Sequence, residues 1–468
     1  MQNQATIKHT DVVVIGAGLT GLTTAYTLKR RGINVHVVEK MTRIGGQIQT
    51  HRMGDYIVES GPNTGVVSFP EVTELMNELK ETSHGTCLLE PAVKAAKQRL
   101  IWKGNLFHVL PSSLIGGLKT PLFTWADKFR ILGEPWRRKG QNPDESIASL
   151  AARRLGKSFV DYAVDPFISG VYAGDANKLI TRYALPKLYN LEQDYGSFIR
   201  GAMAKAKQPK TERDRLATKE VFSAVGGLGQ IPKAEADYIG IDHISLGATN
   251  VRICPVEGQW QVEFSSQQGQ AVTYQCRQVI TTCGAYELSN LLPFIESQRL
   301  ERITNLNYAP IIEVGVGVRN TEGLNYKAFG GLIPSREQKK VLGILFPSAC
   351  FKGRAPEGGA LYTYFIGGVK HAEMLNMSDD ELQELVEEYF HSMLKFPSHI
   401  HPESIHIFRH SKAIPQYEVS SGARFDEVAR LESKYPGLII AGNLRDGIGM
   451  AHRIKQARDI ATNIQIQR

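Results

Sequence analysis

Three glycines and one glutamate near the start of the chain have the types and spacing of a phosphate- and ribose-binding turn. Gly16, Gly18 and Gly21 follow an apolar run directly, and Glu39 closes the next one. Gly16 suits a tight turn, Gly18 lets the backbone approach a pyrophosphate, and Gly21 lets a helix pack closely on a strand. A carboxylate at Glu39 can accept hydrogen bonds from ribose hydroxyls. The pattern predicts a dinucleotide site.

The segments around these glycines are the elements that such a site requires. Residues 11–15 form a short Val-rich run, which is typical of a buried parallel strand. Residues 19–31 have helical spacing and end at Gly32, as at a helix C-terminus. Residues 35–38 predict a second strand. The first helix would place its N-terminus at the phosphates, so we expect a Rossmann-like α/β domain.

A second pair of glycines distinguishes between NAD and FAD. The stretch RIGGQIQT (43–50) follows the second strand, and ESGPN (59–63) comes soon after. An NAD site needs no glycine pair there, whereas the flavin end of FAD extends further along the protein. The arrangement resembles the flavin amine oxidase superfamily, in which an Arg-x-Gly-Gly motif lines FAD. We therefore expect FAD as the cofactor.

The C-terminal stretch GLIIAGNLRDGIGMAHRIKQARDIATNI (437–464) predicts a strand, a glycine-bearing loop and a helix. The strand covers 438–441, and the helix has Ile454, Ala457, Ala461 and Ile464 on one side. In the superfamily that the chain resembles, this segment returns to the FAD domain and its loop lies against the flavin ring. The FAD domain would then contain segments from both ends of the chain.

The middle of the chain resembles one family in particular. DPFISGVYAGD (165–175) is similar to the signature of protoporphyrinogen oxidases, the FAD enzymes near the end of haem synthesis. ESGPN, GGLGQIP, FGGLIPS and AGNLRDGIG resemble segments of the same family in the same order. The aromatic cage and longer C-terminal motif of amine oxidases are not visible, and carotene desaturases fit the middle of the chain less well.

The resemblance implies an α/β fold in three parts. A Rossmann-like FAD-binding domain is assembled from the separated segments 1–80, 212–295 and 425–468. A mixed-sheet substrate-binding domain covers 81–105 and 296–424, and a helical domain that can contact a membrane covers 106–211.

The resemblance also implies an activity. A porphyrinogen, a macrocycle that bears propionates, would lose six electrons in three rounds of hydride transfer to FAD, with molecular oxygen as acceptor and hydrogen peroxide as product. Protoporphyrinogen IX and coproporphyrinogen III both stay open as substrates. Two further readings are an amine or carotenoid oxidoreductase on the same fold and a flavin-binding assembly protein without turnover.

Site residues follow from the matched motifs. The expected FAD contacts are Gly16, Ala17, Gly18, Leu19, Thr20, Gly21, Glu39, Lys40, Arg43, Gly45, Gly46, Gln47, Gly61, Pro62, Asn63, Thr64, Val251, Asn443, Ile448, Gly449 and Met450. The expected substrate contacts are Arg99, Asn63, Gly170, Leu332, Leu345 and Phe365. Arg99 resembles the arginine that holds a propionate, Leu332 and Leu345 resemble residues that sandwich a pyrrole, and Phe365 resembles an aromatic that stacks on another. No residue stands out as a general base, so no catalytic residue is assigned.

Composition indicates which kinds of partner and metal site the protein is expected to lack. The 55 basic and 47 acidic residues give a formal charge of +8, but the basic residues are scattered and no nucleic-acid signature is present. Five cysteines without a CxxC pair favour a reducing compartment. The pairs His399/His401 and His406/His410 lack further ligands at regular spacing, so we expect no metal.

The location follows from what the sequence lacks and from one apolar stretch. No signal peptide and no run long enough to span a bilayer are visible, so we expect a cytoplasmic protein. Residues 110–125 are unusually apolar and basic residues follow them, which predicts peripheral docking on the inner face of the cell membrane. The oligomeric state, a homodimer included, is left open.

Overall fold

The computed structural model describes residues 7–111 and 114–465. The strands are β1 (Ile7–His9), β2 (Val12–Ile15), β3 (Val35–Val38), β4 (Thr50–Met53), β5 (Tyr56–Glu59), β6 (Gly65–Val66), β7 (Leu89–Pro91), β8 (Arg99–Lys103), β9 (Leu106–Val109), β10 (Val221–Ala224), β11 (Ile244–Ser245), β12 (Thr249–Val256), β13 (Gln259–Ser265), β14 (Ala271–Cys276), β15 (Gln278–Thr281), β16 (Tyr308–Val318), β17 (Gly330–Leu332), β18 (Val341–Leu345), β19 (Ala360–Gly367), β20 (Ser404–Pro415) and β21 (Leu438–Ile440).

The helices are α1 (Leu19–Arg30), α2 (Pro70–Thr82), α3 (Leu114–Lys119), α4 (Trp125–Leu132), α5 (Ile147–Leu155), α6 (Lys157–Phe159), α7 (Asp165–Tyr172), α8 (Thr181–Ala184), α9 (Pro186–Tyr195), α10 (Phe198–Ala206), α11 (Glu212–Arg215), α12 (Gln230–Ile239), α13 (Leu288–Leu291), α14 (Ser297–Thr304), α15 (Pro347–Cys350), α16 (Asp379–Ser392), α17 (Ser421–Lys434) and α18 (Met450–Asn463). A π-helical turn, Val160–Val164, leads directly into α7.

A parallel five-stranded sheet joins the two ends of the chain. Its order is β11-β3-β2-β15-β21, and the Val-rich residues of β2 and β3 are buried throughout. The helices α1 and α18 share one core with these strands, in which Leu22, Tyr26 and Ile454 are fully buried. The expected strand–helix–strand unit and the return of the C-terminal segment are thus confirmed, with element ends within one residue of the expectation for β2, α1 and β3.

A mixed seven-stranded sheet forms the second layer, in the order β20-β16-β19-β18-β17-β8-β9. Alternate residues of its strands point to opposite sides. One side carries Ile312, Val314 and Tyr364 and packs on α16, where Val386 is fully buried. Helix α16 begins with a capping box between Ser378 and Glu381. The other side of this sheet is therefore the side available for a ligand.

A helical layer lies over that second side of the sheet. Arg154 and Glu134 are fully buried and form an ion pair, and Glu192 accepts from Arg154 and Arg153. Removing one member of a buried ion pair costs about 3–5 kcal/mol, so this cluster fixes α5 against α9 and α10.

The expected division of the chain into three parts stays a prediction, and the packing departs from it at three places. Residues 106–109 form strand β9 rather than helix, since they pair with β8. Strand β7 pairs with β10 and not with the seven-stranded sheet. Helices α14 and α17 share a core with β15 and β21 of the parallel sheet. The expected boundary at 296 therefore falls too early in the chain, and the expected boundary at 425 falls too late.

Candidate functional site

The glycine turn after β2 is built by close backbone contacts. Gly16 has φ of +107°, a conformation that favours glycine. A Cβ at Gly21 would lie 1.9 Å from the carbonyl oxygen of Gly16. Helix α1 therefore starts against the strand with no space for a side chain, as a pyrophosphate-binding turn requires.

Glu39 fixes the same turn from the end of β3. Its Oε2 accepts from the backbone N–H of Ala17 at 2.7 Å, and its Oε1 accepts from Met41 N at 2.8 Å. A carboxylate has about four acceptor positions, so two remain for ribose hydroxyls.

The second glycine pair lies directly on the first turn. Gly18 and Gly45 form a parallel bridge, and Gly45 N donates to Ala17 O at 2.8 Å. A Cβ at Gly46 would lie 3.0 Å from Gly18 Cα. We call Gly16, Gly18, Gly21, Gly45 and Gly46 the glycine cradle.

The loop before α18 completes this side of the site. Tyr417 Oη donates to Asn443 O at 2.9 Å and accepts from Gly447 N at 3.0 Å, which holds the loop in place. Gly449 is the N-cap of α18 and no side chain caps that helix end. The N–H groups of His452 and Arg453 donate to Gly449 O, so those of Met450 and Ala451 are the ones available to an electron-rich ligand edge.

A cavity of about 2300 Å³ connects the glycine cradle to the seven-stranded sheet. Ligand pockets of drug-sized molecules are about 300–1,000 Å³, so this space suits a dinucleotide together with a second large molecule. Of the expected site residues, Ala17 and Gly21 do not line it, and all the others do: Gly16, Gly18, Leu19, Thr20, Glu39, Lys40, Arg43, Gly45, Gly46, Gln47, Gly61, Pro62, Asn63, Thr64, Arg99, Gly170, Val251, Leu332, Leu345, Phe365, Asn443, Ile448, Gly449 and Met450.

The strand register explains why the expected substrate residues lie together. Residues paired across neighbouring strands share a face. Leu332 pairs with Gly343, Gly343 with Phe365, and Phe365 with Glu313. A second row, two residues along the strands, contains Arg99, Leu345 and Thr363. We call these two rows the ligand face of the sheet.

Arg99 stands at the edge of the ligand face. Its guanidinium carbon lies 5.7 Å from the ring centre of Phe329, and the side chain is exposed. Among the described residues it has no acidic partner. A guanidinium in this position suits a carboxylate ligand.

Helix α7 closes the cavity opposite the ligand face. A Cβ at Gly170 would lie 2.3 Å from Leu332 Cδ2, so α7 approaches the sheet closely at this residue. Ala173 caps α7 with φ of +47°, the left-handed conformation.

Asn63 joins the glycine cradle side to the ligand face. Its Nδ2 donates to Glu313 Oε1 and to Gly61 O at 3.2 Å, and its Oδ1 accepts from Thr363 Oγ1 at 3.0 Å. Glu313 also accepts from Gly61 N at 2.7 Å. Burial raises the pKa of the Glu313 carboxyl well above its usual range, although these hydrogen bonds oppose the shift. Sequence reasoning missed Glu313, because only the strand pairing brings it to Asn63.

Two expected contacts are engaged within the protein. The Nε2 of Gln47 donates to the carbonyl oxygens of Lys412 and Ala413, both at 3.4 Å. Lys40 is paired with Glu287. Both side chains line the cavity, but their polar groups are partly used.

Unpartnered polar atoms support a bound group in the cavity. Ser169 Oγ, His410 Nε2 and Arg453 Nε are buried without a described hydrogen-bond partner, and all three residues line the cavity. Buried polar groups normally have partners, so a polar ligand is the simplest account of these atoms. These unpartnered atoms and the glycine cradle, whose space any Cβ would fill, fit a bound FAD.

One grouping outside the cavity is absent from the sequence-based expectations. Glu387, His391 and His401 bring one ligand atom each within 4.8 Å of one another, although their spacing in the sequence does not predict a metal site. In the sequence, His401 is grouped with the nearby His399. Only the fold places the loop after α16, which contains His401, against that helix. Two of the three potential ligands, Glu387 and His401, already bond to each other.

The parallel sheet, the glycine cradle and the cavity define a dinucleotide-binding protein with a second, large ligand site. Comparison with known proteins narrows this class. The family model of flavin-containing amine oxidoreductases matches residues 19–461. Protoporphyrinogen oxidase 2 of Arabidopsis thaliana is 30% identical over 95% of this chain and 91% of its own length. Human protoporphyrinogen oxidase is 30% identical over 97% of this chain and 98% of its own.

A solved structure gives the same fold. The crystal structure of a putative protoporphyrinogen oxidase from Exiguobacterium sp. 255-15 superposes with a TM-score of 0.77 at 21% identity, covering 98% of both chains. The chain belongs to the protoporphyrinogen oxidase family of flavin-containing amine oxidoreductases. Its cofactor is FAD, as the glycine motifs predicted.

Proposed function

We propose that this protein oxidises protoporphyrinogen IX to protoporphyrin IX in haem biosynthesis, with molecular oxygen as the terminal acceptor. Six electrons leave the macrocycle as three hydrides and three protons. Three molecules of oxygen take them up as three molecules of hydrogen peroxide, so atoms and electrons balance. Coproporphyrinogen III, which has four propionates instead of two, is the alternative substrate.

One observation carries the proposal. Arg99, Leu332, Leu345 and Phe365 lie on the same face of one sheet and line a cavity that continues to the glycine cradle. This face offers an aromatic ring, branched apolar side chains and a guanidinium without an acidic partner among the described residues to a macrocycle of pyrrole rings with a carboxylate at its edge. The names of relatives that align over nearly the whole chain point to the same substrate.

The residues would act mainly by binding and orientation. Arg99 would hold a propionate with two charge-assisted hydrogen bonds. Leu332 and Phe365 would pack on pyrrole rings, and Gly170 lets helix α7 pack directly against Leu332 beside them. Bound along the glycine cradle, FAD would supply the hydride acceptor.

Porphyrin fluorescence tests this proposal. Purified FAD-loaded protein is mixed with protoporphyrinogen IX or coproporphyrinogen III in air, and kcat/KM is measured for each. Faster fluorescence growth with protoporphyrinogen IX is expected. A preference for coproporphyrinogen III would move the protein to the alternative substrate, and no turnover of either by FAD-loaded protein would refute porphyrinogen oxidation.

We also propose that the region around α4 docks on an anionic membrane surface, on the cytoplasmic side. Trp125, Phe129 and Leu132 lie on one side of α4 and are 62%, 68% and 57% exposed, and Trp136 is 79% exposed. Arg130, Arg137 and Arg138 lie in the same stretch. Aromatic side chains next to cations suit a lipid headgroup layer. Residues 112 and 113 of the expected docking stretch lie outside the described residues.

Among the described helices, none is both long and apolar enough to cross a bilayer. Docking is tested by flotation with vesicles of phosphatidylglycerol and of phosphatidylcholine. We expect flotation with the anionic vesicles, and loss of it in Phe129→Ala/Trp136→Ala. The matched control is Ile241→Ala, which removes a side chain that is 72% exposed outside this region. Equal flotation of the control and the double variant would refute docking through α4.

A further inference from the structure

Glu313 is a buried carboxyl group in the wall of the cavity, and the reaction outlined above gives it no task. It lies in the middle of β16 and is 1% exposed. Its neighbours across the strands are Phe365 and Phe408, so apolar rings flank it on both sides. Burying a carboxyl group between apolar rings costs free energy unless the group is hydrogen-bonded, and Glu313 accepts from Gly61 N and Asn63 Nδ2.

The hydrogen bonds of Glu313 determine the orientation of the Asn63 amide. Both hydrogens of Asn63 Nδ2 are used, one by Glu313 and the other by Gly61 O. The amide oxygen accepts from Thr363 and keeps one lone pair. In this orientation Asn63 can only accept a hydrogen bond from a ligand in the cavity.

Protonation of Glu313 would reverse this arrangement. Gly61 N already donates to one oxygen of Glu313. A proton on the other oxygen would meet the N–H of Asn63, so two donors would face each other. The conflict with Glu313 is removed when the amide turns over, because Asn63 Oδ1 then accepts from Glu313 and Nδ2 donates to the Thr363 hydroxyl, at the cost of the hydrogen bond from Asn63 to Gly61 O. A hydroxyl can donate or accept, so Thr363 suits both orientations.

We propose that Glu313 is a positioning residue whose ionised form holds Asn63 as a hydrogen-bond acceptor for a donor group of the substrate, and whose protonated form turns the amide over. The substrate assignment rests on the proposed function, because the pyrrole N–H groups of a porphyrinogen are the donors that Asn63 would meet. The orientation of the amide itself does not depend on that assignment.

The surroundings of Glu313 give the direction of the pH dependence. Burial raises its pKa well above the usual range, and the nearby carboxyl of Glu59 raises it further. The other groups that face Glu313 from the packed elements are the Gly61–Asn63 loop, Thr363, Phe365 and Phe408. Ionised Glu313 is the active form in this proposal, so kcat/KM rises as pH rises through this pKa.

Glu313→Gln is the decisive variant. The glutamine amide copies a protonated glutamic acid, since its oxygen can accept from Gly61 N and its NH₂ can donate to Asn63 Oδ1. We expect kcat/KM for protoporphyrinogen IX to lose its rise with pH and to stay about tenfold below the wild-type plateau, which corresponds to one hydrogen bond. A rise with pH that persists in Glu313→Gln would overturn the proposal.

Two further variants separate positioning from structural damage. Asn63→Ala keeps Glu313 and should also lose the rise with pH. Glu59→Gln removes a second buried carboxyl that bonds to Thr50 and Leu228 but not to Asn63, so it should keep the rise and move it to lower pH, because Glu59 no longer raises the pKa of Glu313. Loss of the rise in Glu59→Gln would assign the titration to Glu59 and contradict the role of Glu313.

A measurement without substrate tests the amide directly. In FAD-loaded protein labelled with ¹⁵N-asparagine, the side-chain NMR signal of Asn63 is the one that disappears in Asn63→Ala. We expect this signal to shift with pH in the wild-type protein and to stay constant in Glu313→Gln. A signal that does not respond to pH between about 5 and 9 would refute the coupling, even if the protein oxidised no porphyrinogen.

Discussion

The glycine cradle and the ligand face of the sheet are built by opposite means. The glycine cradle is backbone against backbone, and its residues lie between 16 and 46 in the sequence. The ligand face is made of side chains from separate strands, from Arg99 in β8 to Glu313 in β16. A missing side chain is the functional feature in the first region, and the side chains themselves are the feature in the second. Substitutions should therefore affect cofactor binding in the first and substrate handling in the second.

The largest effect is expected from Gly21→Ala. The new Cβ would lie 1.9 Å from Gly16 O, a backbone atom that cannot move without opening the turn. Overpacking of this kind costs about 1–3 kcal/mol, so FAD affinity should fall about 10- to 100-fold. The dissociation constant is measured by quenching of flavin fluorescence. Gly117→Ala, where a Cβ meets nothing within 4 Å, is the control and should bind FAD normally.

Arg99→Ala should have an equally large effect, on substrate binding rather than on cofactor binding. A hydrogen bond to a charged group is worth about 1.5–3 kcal/mol, so KM should rise about 10- to 100-fold while kcat changes little. Arg99→Lys should fall in between, because it keeps the charge and loses the bidentate geometry. Arg52→Ala, an exposed arginine outside the cavity, serves as the control. An unchanged KM in Arg99→Ala would exclude Arg99 from the substrate site.

Gly170→Ala sharpens the comparison, because Gly170 lies against the ligand face and yet, like the residues of the glycine cradle, has no space for a side chain. The added Cβ would contact Leu332 Cδ2 at 2.3 Å, and the leucine would be pushed into the cavity. We expect kcat/KM to fall about tenfold, from a cost of about 1–3 kcal/mol. Leu332→Ala in the same chain should restore part of the loss, and the coupling energy is read from the double-mutant cycle. Additive effects would show that the two residues do not compete for space.

The smallest effect concerns stability rather than binding. Ala173 has φ of +47°, which costs a non-glycine residue about 1–2 kcal/mol. Ala173→Gly should raise the free energy of unfolding by about 0.5–1 kcal/mol, because the greater freedom of unfolded glycine offsets part of the gain. Thermal unfolding measures it, with Ala176→Gly, at a residue without positive φ, as a control that should lower stability. A lower melting temperature in Ala173→Gly would contradict the strain.

The same contrast explains what can be predicted from the sequence. Glycine spacing and apolar periodicity are local signals, so they predict β2, α1, β3 and the loop of Gly45. The family resemblance supplies Arg99, Leu332, Leu345 and Phe365, but not the reason that they share a face. That reason is the register of strands that lie far apart in the chain, and the bond from Thr363 to Asn63 likewise spans 300 residues. Glu313 has no local signal of its own, since it is one polar residue in an apolar strand.

Local patterns mispredict element boundaries where packing overrides them. Residues 106–109 form a short segment that is flanked by turns, and only its pairing with β8 makes it a strand. Helices α14 and α17 have ordinary amphipathic sequences, which cannot show the core that they join. The grouping of Glu387, His391 and His401 escapes prediction for the same reason, because it depends on the fold of the loop after α16.

The strand order of the parallel sheet has a consequence for the folding of the protein during its synthesis on the ribosome. Strand β15 pairs with β2 on one side and with β21 on the other, and α18 packs on α1. The glycine turn leaves the ribosome early, but its neighbours β21 and α18 are made only at residues 438–463. At about 5–20 residues per second, the turn waits roughly 20–90 s for them. A cofactor that contacts both the glycine turn and the N-terminus of α18 can therefore be fully bound only after these last segments have been made.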